Sequence, residues 1–243
     1  MFNTQHILYM VISALLTAGL LMLFSRYAKK QEQKDKILKF FAVITVLIHI
    51  SDMWVNYFTS GGQAPILSVH ILPIYPCNVV MWMLLVAAML RNKKRLLFQL
   101  LSEFCFYVGT ICAVVGIMFN ANFGNNPTLA DYDILKGMLS HSTMLVGCLY
   151  LFVGNYIQIR LFNAVSVTAG LATFVFCGNT MNWLFEHFGM EAPDGMFLRS
   201  NPYFPFSPIV PGIIYIAVLS AALWMHERHK KKEVKDSYAR TVF

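Results

Sequence analysis

Apolar residues fill most of the chain in seven blocks, and short polar or charged stretches separate each block from the next. Each block is about 20 residues long, the length of an α-helix that crosses a bilayer. This pattern predicts an all-α membrane protein with seven transmembrane helices. The predicted spans are 6–24, 37–58, 72–90, 96–119, 134–153, 161–185 and 209–225.

The composition fits a single membrane domain and excludes a water-soluble core. Hydrophobic residues make up 57% of the chain and charged residues 13%, whereas about 25% of the residues in a soluble domain are charged. We therefore expect one transmembrane domain over 1–225 and a basic cytoplasmic tail over 226–243. The net charge of +7 would suit nucleic acid, but its distribution indicates membrane orientation and no nucleic-acid partner.

The basic residues lie on alternate sides of the predicted spans. Of the 19 lysines and arginines, only Lys136 and Arg199 fall on one side, and the other 17 lie in or next to the alternate turns or in the tail. Positive charge remains on the cytoplasmic side of a membrane. The N-terminus is therefore predicted outside and the C-terminus in the cytoplasm, where the tail contacts anionic lipid headgroups.

Polar side chains inside the predicted spans are the functional candidates, because ionisable groups at membrane depth are costly. Those nearer the outer side are His49, Asp52, Cys77, Asn78, His141 and Asn182. We estimate the depth of each residue from the outer end of its span, at about 1.5 Å per residue. One layer, roughly 5–10 Å inside the outer ends of four spans, contains Asp52, Cys77, His141 and Asn182. The same count places Glu103 toward the cytoplasmic end.

Cys77 and His141 suggest nucleophilic chemistry in this layer. Pro76 suits a first helical turn, which would leave Cys77 among free backbone N–H groups at the positive end of the helix dipole. A nearby imidazole lowers a thiol pKa and can act as its base, so His141 is the candidate base. The side chains available to orient the imidazole or to stabilise an oxyanion are Asp52, Asn78 and Asn182.

Other interpretations of these residues stay open. The polar side chains would be purely structural if Cys77 packs, His141 bonds a buried asparagine and Asp52 ties helices together. A zinc site could draw on His49, Asp52, Cys77 and His141, although no HExxH or paired CxxC motif supports it and we expect no metal. A non-enzymatic transporter subunit, receptor or partner of another membrane protein also fits seven spans. The five cysteines all lie in apolar runs, which argues against disulfides.

Five segments, in order, resemble a known family. LPIYPCNVVMW (72–82) is similar to LPLHLCDL of the YwaF-like bacterial integral membrane proteins, which are relatives of the animal transmembrane-protein-164 acyltransferases. The other four are FQLLSEFCFYVG (98–109), MLSHS (138–142), GNTMNWLF (178–185) and DGMFL (194–198). In the same order, they resemble the family's FELxYFWG, its FLSHG, its span-six asparagine segment and its NYMYL motif. The resemblance covers about residues 40–225.

The resemblance implies a lipid acyltransferase in a cell membrane, that of a bacterium for the YwaF-like branch. Its cysteine and histidine fall on Cys77 and His141, and its substrate would be a phospholipid or acyl-lipid. No cofactor is implied. Asn78 departs from the pattern, because relatives carry an acidic residue there.

Overall fold

The computed structural model describes residues 2–62, 71–119, 127–189, 194–199 and 209–241, with side chains through residue 233. All regular secondary structure within these ranges is helical. The α-helices are α1 Thr4–Tyr27, α2 Gln31–His49, α3 Asp52–Thr59, α4 Pro76–Met89, α5 Leu96–Phe104, α6 Thr110–Phe119, α7 Tyr132–Val153, α8 Asn163–His187 and α9 Ile209–Thr241. A π-helical turn, Cys105–Gly109, joins α5 to α6, and Gly195–Phe197 forms a 3-10 turn.

Within the described ranges, six helical stretches are long and apolar enough to cross a membrane, which confirms the predicted all-α membrane architecture. They are Thr4–Tyr27, Gln31–Thr59, Leu96–Phe119, Tyr132–Val153, Asn163–His187 and Ile209–Glu233. The remaining predicted span, 72–90, contains only the 14-residue helix α4. This helix is about 21 Å long, shorter than the roughly 30 Å hydrocarbon core.

The helix within the predicted span 72–90 begins at Pro76, as the proline predicts, and residues 72–75 precede it. Tyr75 is extended, with φ −109° and ψ 153°, because the residue before a proline is sterically excluded from helical geometry. The short helix ends against Lys93, whose ammonium donates hydrogen bonds of 2.9 Å to two α4 carbonyls, those of Ala87 and Ala88. Partial burial lowers the pKa of Lys93.

The second predicted span is broken in its outer half. α2 ends at His49, and α3 restarts at Asp52 after a turn at Ile50 and Ser51. The Ser51 hydroxyl bonds the Ile48 carbonyl at 2.6 Å and the Tyr132 hydroxyl at 2.5 Å. Such side-chain bonds compete with the helical ladder, and here they separate His49 from Asp52 at the break.

Contacts among the connecting segments place the predicted inside turns together at one end of the bundle. Tyr156 donates a 2.6 Å hydrogen bond to Asp35, and Glu227 accepts a 2.7 Å bond from the Leu161 N–H. We call the end formed by 28–36, 90–95 and 154–162 the basic end. At the opposite end, Asn3 donates to the Pro127 carbonyl at 2.6 Å.

α7 forms the centre of the bundle, and α1 and α9 lie at its edge. α7 buries most of its residues and packs mainly against α2 and α6, whereas α1 and α9 leave most of theirs exposed. α5 packs closely on α8, where Gly170 leaves room for the ring of Phe104. Small residues allow such close helix approach in membranes.

The C-terminal helix continues beyond the expected end of the last span. α9 runs without interruption to Thr241, so residues 226–241, predicted as a tail, extend the helix. The His229 and Glu233 side chains pair at 3.4 Å with i,i+4 spacing, an arrangement that supports exposed helix.

Candidate active site

Cys77 lies on the first turn of α4, as its sequence position predicts. Pro76 opens the helix, where its missing N–H removes no helical hydrogen bond. The Cys77 side chain is half-buried, and its thiol donates to Asn78 Oδ1 at 3.4 Å. All five cysteines of the chain are free thiols.

Asn78 joins α4 to its surroundings and is fully buried. Its Oδ1 accepts a 3.0 Å hydrogen bond from His49 Nε2, and its Nδ2 donates to the Leu72 carbonyl at 2.8 Å. Since an amide oxygen can only accept, the Nε2 of His49 carries the proton in this bond. Asn78 thus shares one oxygen between His49 and the thiol of Cys77.

His141 is buried on α7 close to this group. Its Nδ1 lies 2.7 Å from the Gly137 carbonyl, which can only accept, so Nδ1 carries a proton. In the neutral ring, Nε2 is then the acceptor nitrogen. The ring centroids of His49 and His141 are 6.4 Å apart, and within the described part of the chain no hydrogen bond joins His141 to Cys77.

A glycine of α6 provides the space that His141 occupies. A Cβ on Gly116 would lie 2.0 Å from Cδ2 and 2.2 Å from Nε2 of His141, distances that no side chain tolerates. The backbone of α6 therefore lies directly against the imidazole. Sequence reasoning missed Gly116, and one glycine in an apolar span gives no signal for this role.

Asp52 pairs with Lys136, one of the two basic residues on the sparsely charged side of the predicted spans. Both side chains are about 5% exposed, and Lys136 Nζ lies 3.6 Å from Asp52 Oδ2 and 3.6 Å from Asp133 Oδ1. Lys136 belongs to the second turn of α7, before His141. The signal in the sequence is that Lys136 already lies inside the predicted span 134–153.

Asn182 is buried near the segment that precedes Cys77. Its Oδ1 accepts from the Gly195 N–H at 2.6 Å, and its Nδ2 donates to Asp194 at 3.4 Å. The next N–H, that of Met196, donates to the Ile74 carbonyl at 2.6 Å. Asn182 thus holds 194–199 against the segment leading into α4, and its described contacts do not include His141.

The remaining polar candidates do not form a metal centre. Within the described ranges, no group of three or more histidine, cysteine or acidic side chains is arranged to hold a metal ion.

Glu103 lies toward the basic end, where it bonds Arg160 at 2.9 Å and accepts from the Ser166 hydroxyl. It therefore takes no part in the group around Cys77.

Of the predicted layer, Cys77 lies in a hydrogen-bonded group with Asn78 and His49, and the imidazole of His141 lies beside that of His49. A family model for the TMEM164 family matches residues 1–226. The chain belongs to the TMEM164 family. No curated protein and no solved structure matches it.

Membership of the TMEM164 family agrees with the resemblance seen in the sequence, because all five resembling segments lie within the matched residues. It also supports the membrane assignment. The YwaF-like bacterial branch stays a prediction for this TMEM164-family chain. The chain has Asn78 where the resembling segment of the YwaF-like proteins has an acidic residue, and the Asn78 amide bonds His49.

Proposed function

We propose that this TMEM164-family protein is a lipid acyltransferase or thioesterase-like enzyme, with Cys77 as nucleophile and His141 as base. The observation that supports this most directly is the state of the His141 ring. Its Nδ1–H is held by the Gly137 carbonyl, which leaves Nε2 as a proton acceptor. His49 is less suited to this task, because its Nε2–H donates to Asn78.

The proposed reaction has two half-reactions. His141 Nε2 takes the thiol proton, and the thiolate attacks the acyl carbon of a lipid ester. The ester C–O bond breaks, the leaving oxygen takes the proton back from the imidazolium, and Cys77 holds the acyl group as a thioester. A lipid hydroxyl or water, deprotonated by His141, then attacks the thioester, and the thiolate leaves and is reprotonated.

The neighbouring residues position this pair. Asn78 holds the thiol through its Oδ1 and is fixed by His49 and the Leu72 carbonyl. Asn182 braces the segment before α4, and Asp52 pairs with Lys136 beside the turn of α7 that leads to His141. The thiol must swing from Asn78 to His141 on substrate binding, since apo contacts of catalytic groups often tighten only in the complex.

The positive-inside distribution supports placing this site in the outer leaflet of a cell membrane, with the N-terminus outside and the C-terminus in the cytoplasm. The substrate would be a membrane phospholipid or acyl-lipid, and no external cofactor takes part. In the YwaF-like branch, the membrane would be a bacterial plasma membrane.

Replacing the thiol tests the chemistry. Cys77→Ala and Cys77→Ser, reconstituted in vesicles with isotope-labelled phospholipid, should lose acyl transfer and the acyl adduct seen by intact mass in the wild type. Cys177→Ser is the matched control, because Cys177 is also half-buried but lies on α8. Unchanged lipid turnover in a folded Cys77→Ala protein would refute the enzyme proposal and favour a non-enzymatic membrane protein.

The two histidines are separated by a second comparison. His141→Gln should lower the rate by about 10²–10⁴-fold, the usual contribution of a general base, with little change in acyl-lipid binding. His49→Gln should mainly lower the stability of the Asn78 region and should keep more activity. A larger rate loss in His49→Gln would assign the base to His49 instead.

A further inference from the structure

The segment that leads into Cys77 is held by hydrogen bonds from two directions. On one side, the Asn78 amide of α4 donates to the Leu72 carbonyl at 2.8 Å. On the other side, the Met196 N–H donates to the Ile74 carbonyl at 2.6 Å. Ile74 is fully buried and lies three residues before the thiol, so the second bond fixes the chain close to the proposed nucleophile.

Met196 belongs to a turn, residues 194–198, whose backbone has an unusual conformation. Met196 and Phe197 have φ values of 56° and 55°, in the left-handed region that residues with a Cβ rarely occupy. Such geometry persists only where the surroundings impose it. Met196 is 3% exposed, and the ring centroids of Phe197 and Tyr75 are 5.5 Å apart. The 194–198 turn is thus shaped by its contacts and not by the preferences of its own residues.

Two glycines bring α8 directly against the 194–198 turn. A Cβ on Gly178 would lie 2.8 Å from the Gly195 carbonyl oxygen, and a Cβ on Gly195 would lie 2.7 Å from the Gly178 carbonyl oxygen. About one helical turn further along α8, Asn182 Oδ1 accepts from the Gly195 N–H at 2.6 Å. α8 and the turn therefore touch backbone to backbone, with no flexible side chain between them.

Few soft torsions separate this contact from Cys77. Tyr75 is extended, with φ −109° and ψ 153°, and helical geometry is sterically excluded for it because a proline follows. The ring of Pro76 holds its own φ at about −65°, and α4 begins at that residue. A shift of the Ile74 carbonyl is therefore transmitted to the backbone of Cys77, because little between them can absorb it.

We propose that Gly178 and Gly195 are positioning residues for Cys77. Their contact anchors the 194–198 turn to α8, so the backbone at Cys77 stays fixed while the thiol rotates toward His141. This inference rests on the proposed function, because it gives the turn a role in acyl transfer. Neither glycine touches the reacting atoms. A displacement of about 1 Å in catalytic geometry can lower a rate by about 100-fold, which is the scale on which such an anchor acts.

Two alanine variants test the contact from its two sides. Gly178→Ala and Gly195→Ala, reconstituted in vesicles with isotope-labelled phospholipid, are compared with the wild type in single-turnover experiments. The rate constant for forming the acyl adduct on Cys77 should fall by about 10–100-fold, and the KM for lipid should not change. The final amount of adduct counts the folded molecules, so a variant that merely folds less well loses amplitude and keeps its rate constant.

A third variant adds no bulk and covers the case in which an alanine prevents folding. Asn182→Ala removes the bond to the Gly195 N–H, and it should lower the same rate constant by about threefold to tenfold. An unchanged rate constant in this variant would show that the turn does not need α8 to position the thiol, and would overturn the proposal.

Gly170→Ala is the matched control. Gly170 lies about two turns before Gly178 on the same helix, and a Cβ there would collide with the ring of Phe104. It disturbs the packing of α8 away from the 194–198 turn, so it should lower the amplitude and leave the rate constant unchanged.

The outcomes separate this inference from the proposed function. Wild-type rate constants in folded Gly178→Ala and Gly195→Ala would overturn the inference alone. An equal loss of rate in Gly170→Ala would also overturn it, because the general packing of α8 would then explain the effect. A wild type that forms no acyl adduct would instead refute the proposed function, and this inference with it.

Discussion

The contact between Gly116 and His141 gives the sharpest prediction about the candidate active site. In Gly116→Ala, the new methyl group would lie 2.0 Å from His141 Cδ2, whereas carbon atoms in contact are about 3.5–4.0 Å apart. The ring must therefore retreat by about 1.5–2 Å. His141 is 5% exposed, so the displaced ring meets other buried side chains.

The cost of this displacement follows from the structure. Overpacking a buried site costs about 1–3 kcal/mol, and loss of the Nδ1 hydrogen bond to Gly137 adds about 0.5–1.5 kcal/mol. Alanine recovers up to about 1 kcal/mol through its better helix propensity. Together these terms predict that Gly116→Ala lowers the free energy of unfolding by about 0.5–3.5 kcal/mol, and we expect it to reduce acyl transfer.

The measurement is unfolding in mixed micelles by denaturing detergent, combined with a double-mutant cycle. His141→Ala removes the ring, so adding Gly116→Ala to that variant should cost almost nothing, a coupling of about 1–3 kcal/mol. Gly19→Ala is the control, because nothing lies within 4 Å of a Cβ there. If Gly116→Ala costs the same in both backgrounds, the ring and the glycine are not in contact and the reasoning fails.

Two further predictions concern buried polar contacts. Lys136→Met should lower the free energy of unfolding, measured by denaturant titration, by about 3–5 kcal/mol, because it removes the cation from Asp52. Adding Asp52→Asn should restore part of this loss. Lys36→Met, in an exposed pair, should cause no measurable change in the same titration. Asn78→Leu should lower the free energy of unfolding by about 2–5 kcal/mol, because it leaves the His49 N–H and the Leu72 carbonyl unpaired. Thermal unfolding equal to that of the wild type would show that water replaces the amide.

Hydropathy and charge predicted most of the architecture. The span 96–119 coincides with Leu96–Phe119, and 134–153 differs from α7 by two residues at its start. Pro76 at the start of α4 followed from the restricted backbone of proline. These features depend on local properties of the chain, namely length, apolarity and backbone sterics.

The partners of each polar side chain could not be predicted in the same way. In a membrane both the lipid-facing and the buried faces of a helix are apolar, so the sequence of α4 does not reveal which way it is rotated. The depth count could place Asp52, Cys77, His141 and Asn182 at one level, but only the structure shows that Asp52 pairs with Lys136 and that Asn78 bonds His49. The turn between His49 and Asp52 also depends on Tyr132, which is distant in sequence.

The loose attachment of α1 bears on how the protein is made. α1 packs on the bundle through a few apolar side chains, such as Phe24, and through polar contacts. Its Ser13 hydroxyl meets that of Ser142 on α7 at 2.8 Å, and its His6 donates to the Ile117 carbonyl at 2.8 Å. Ser13 and Ser142 are 129 residues apart, about 6–26 s of synthesis at roughly 5–20 residues per second. α1 leaves the ribosome well before α7 and must therefore wait in the bilayer, without its contacts to α7, until α7 has been translated and inserted.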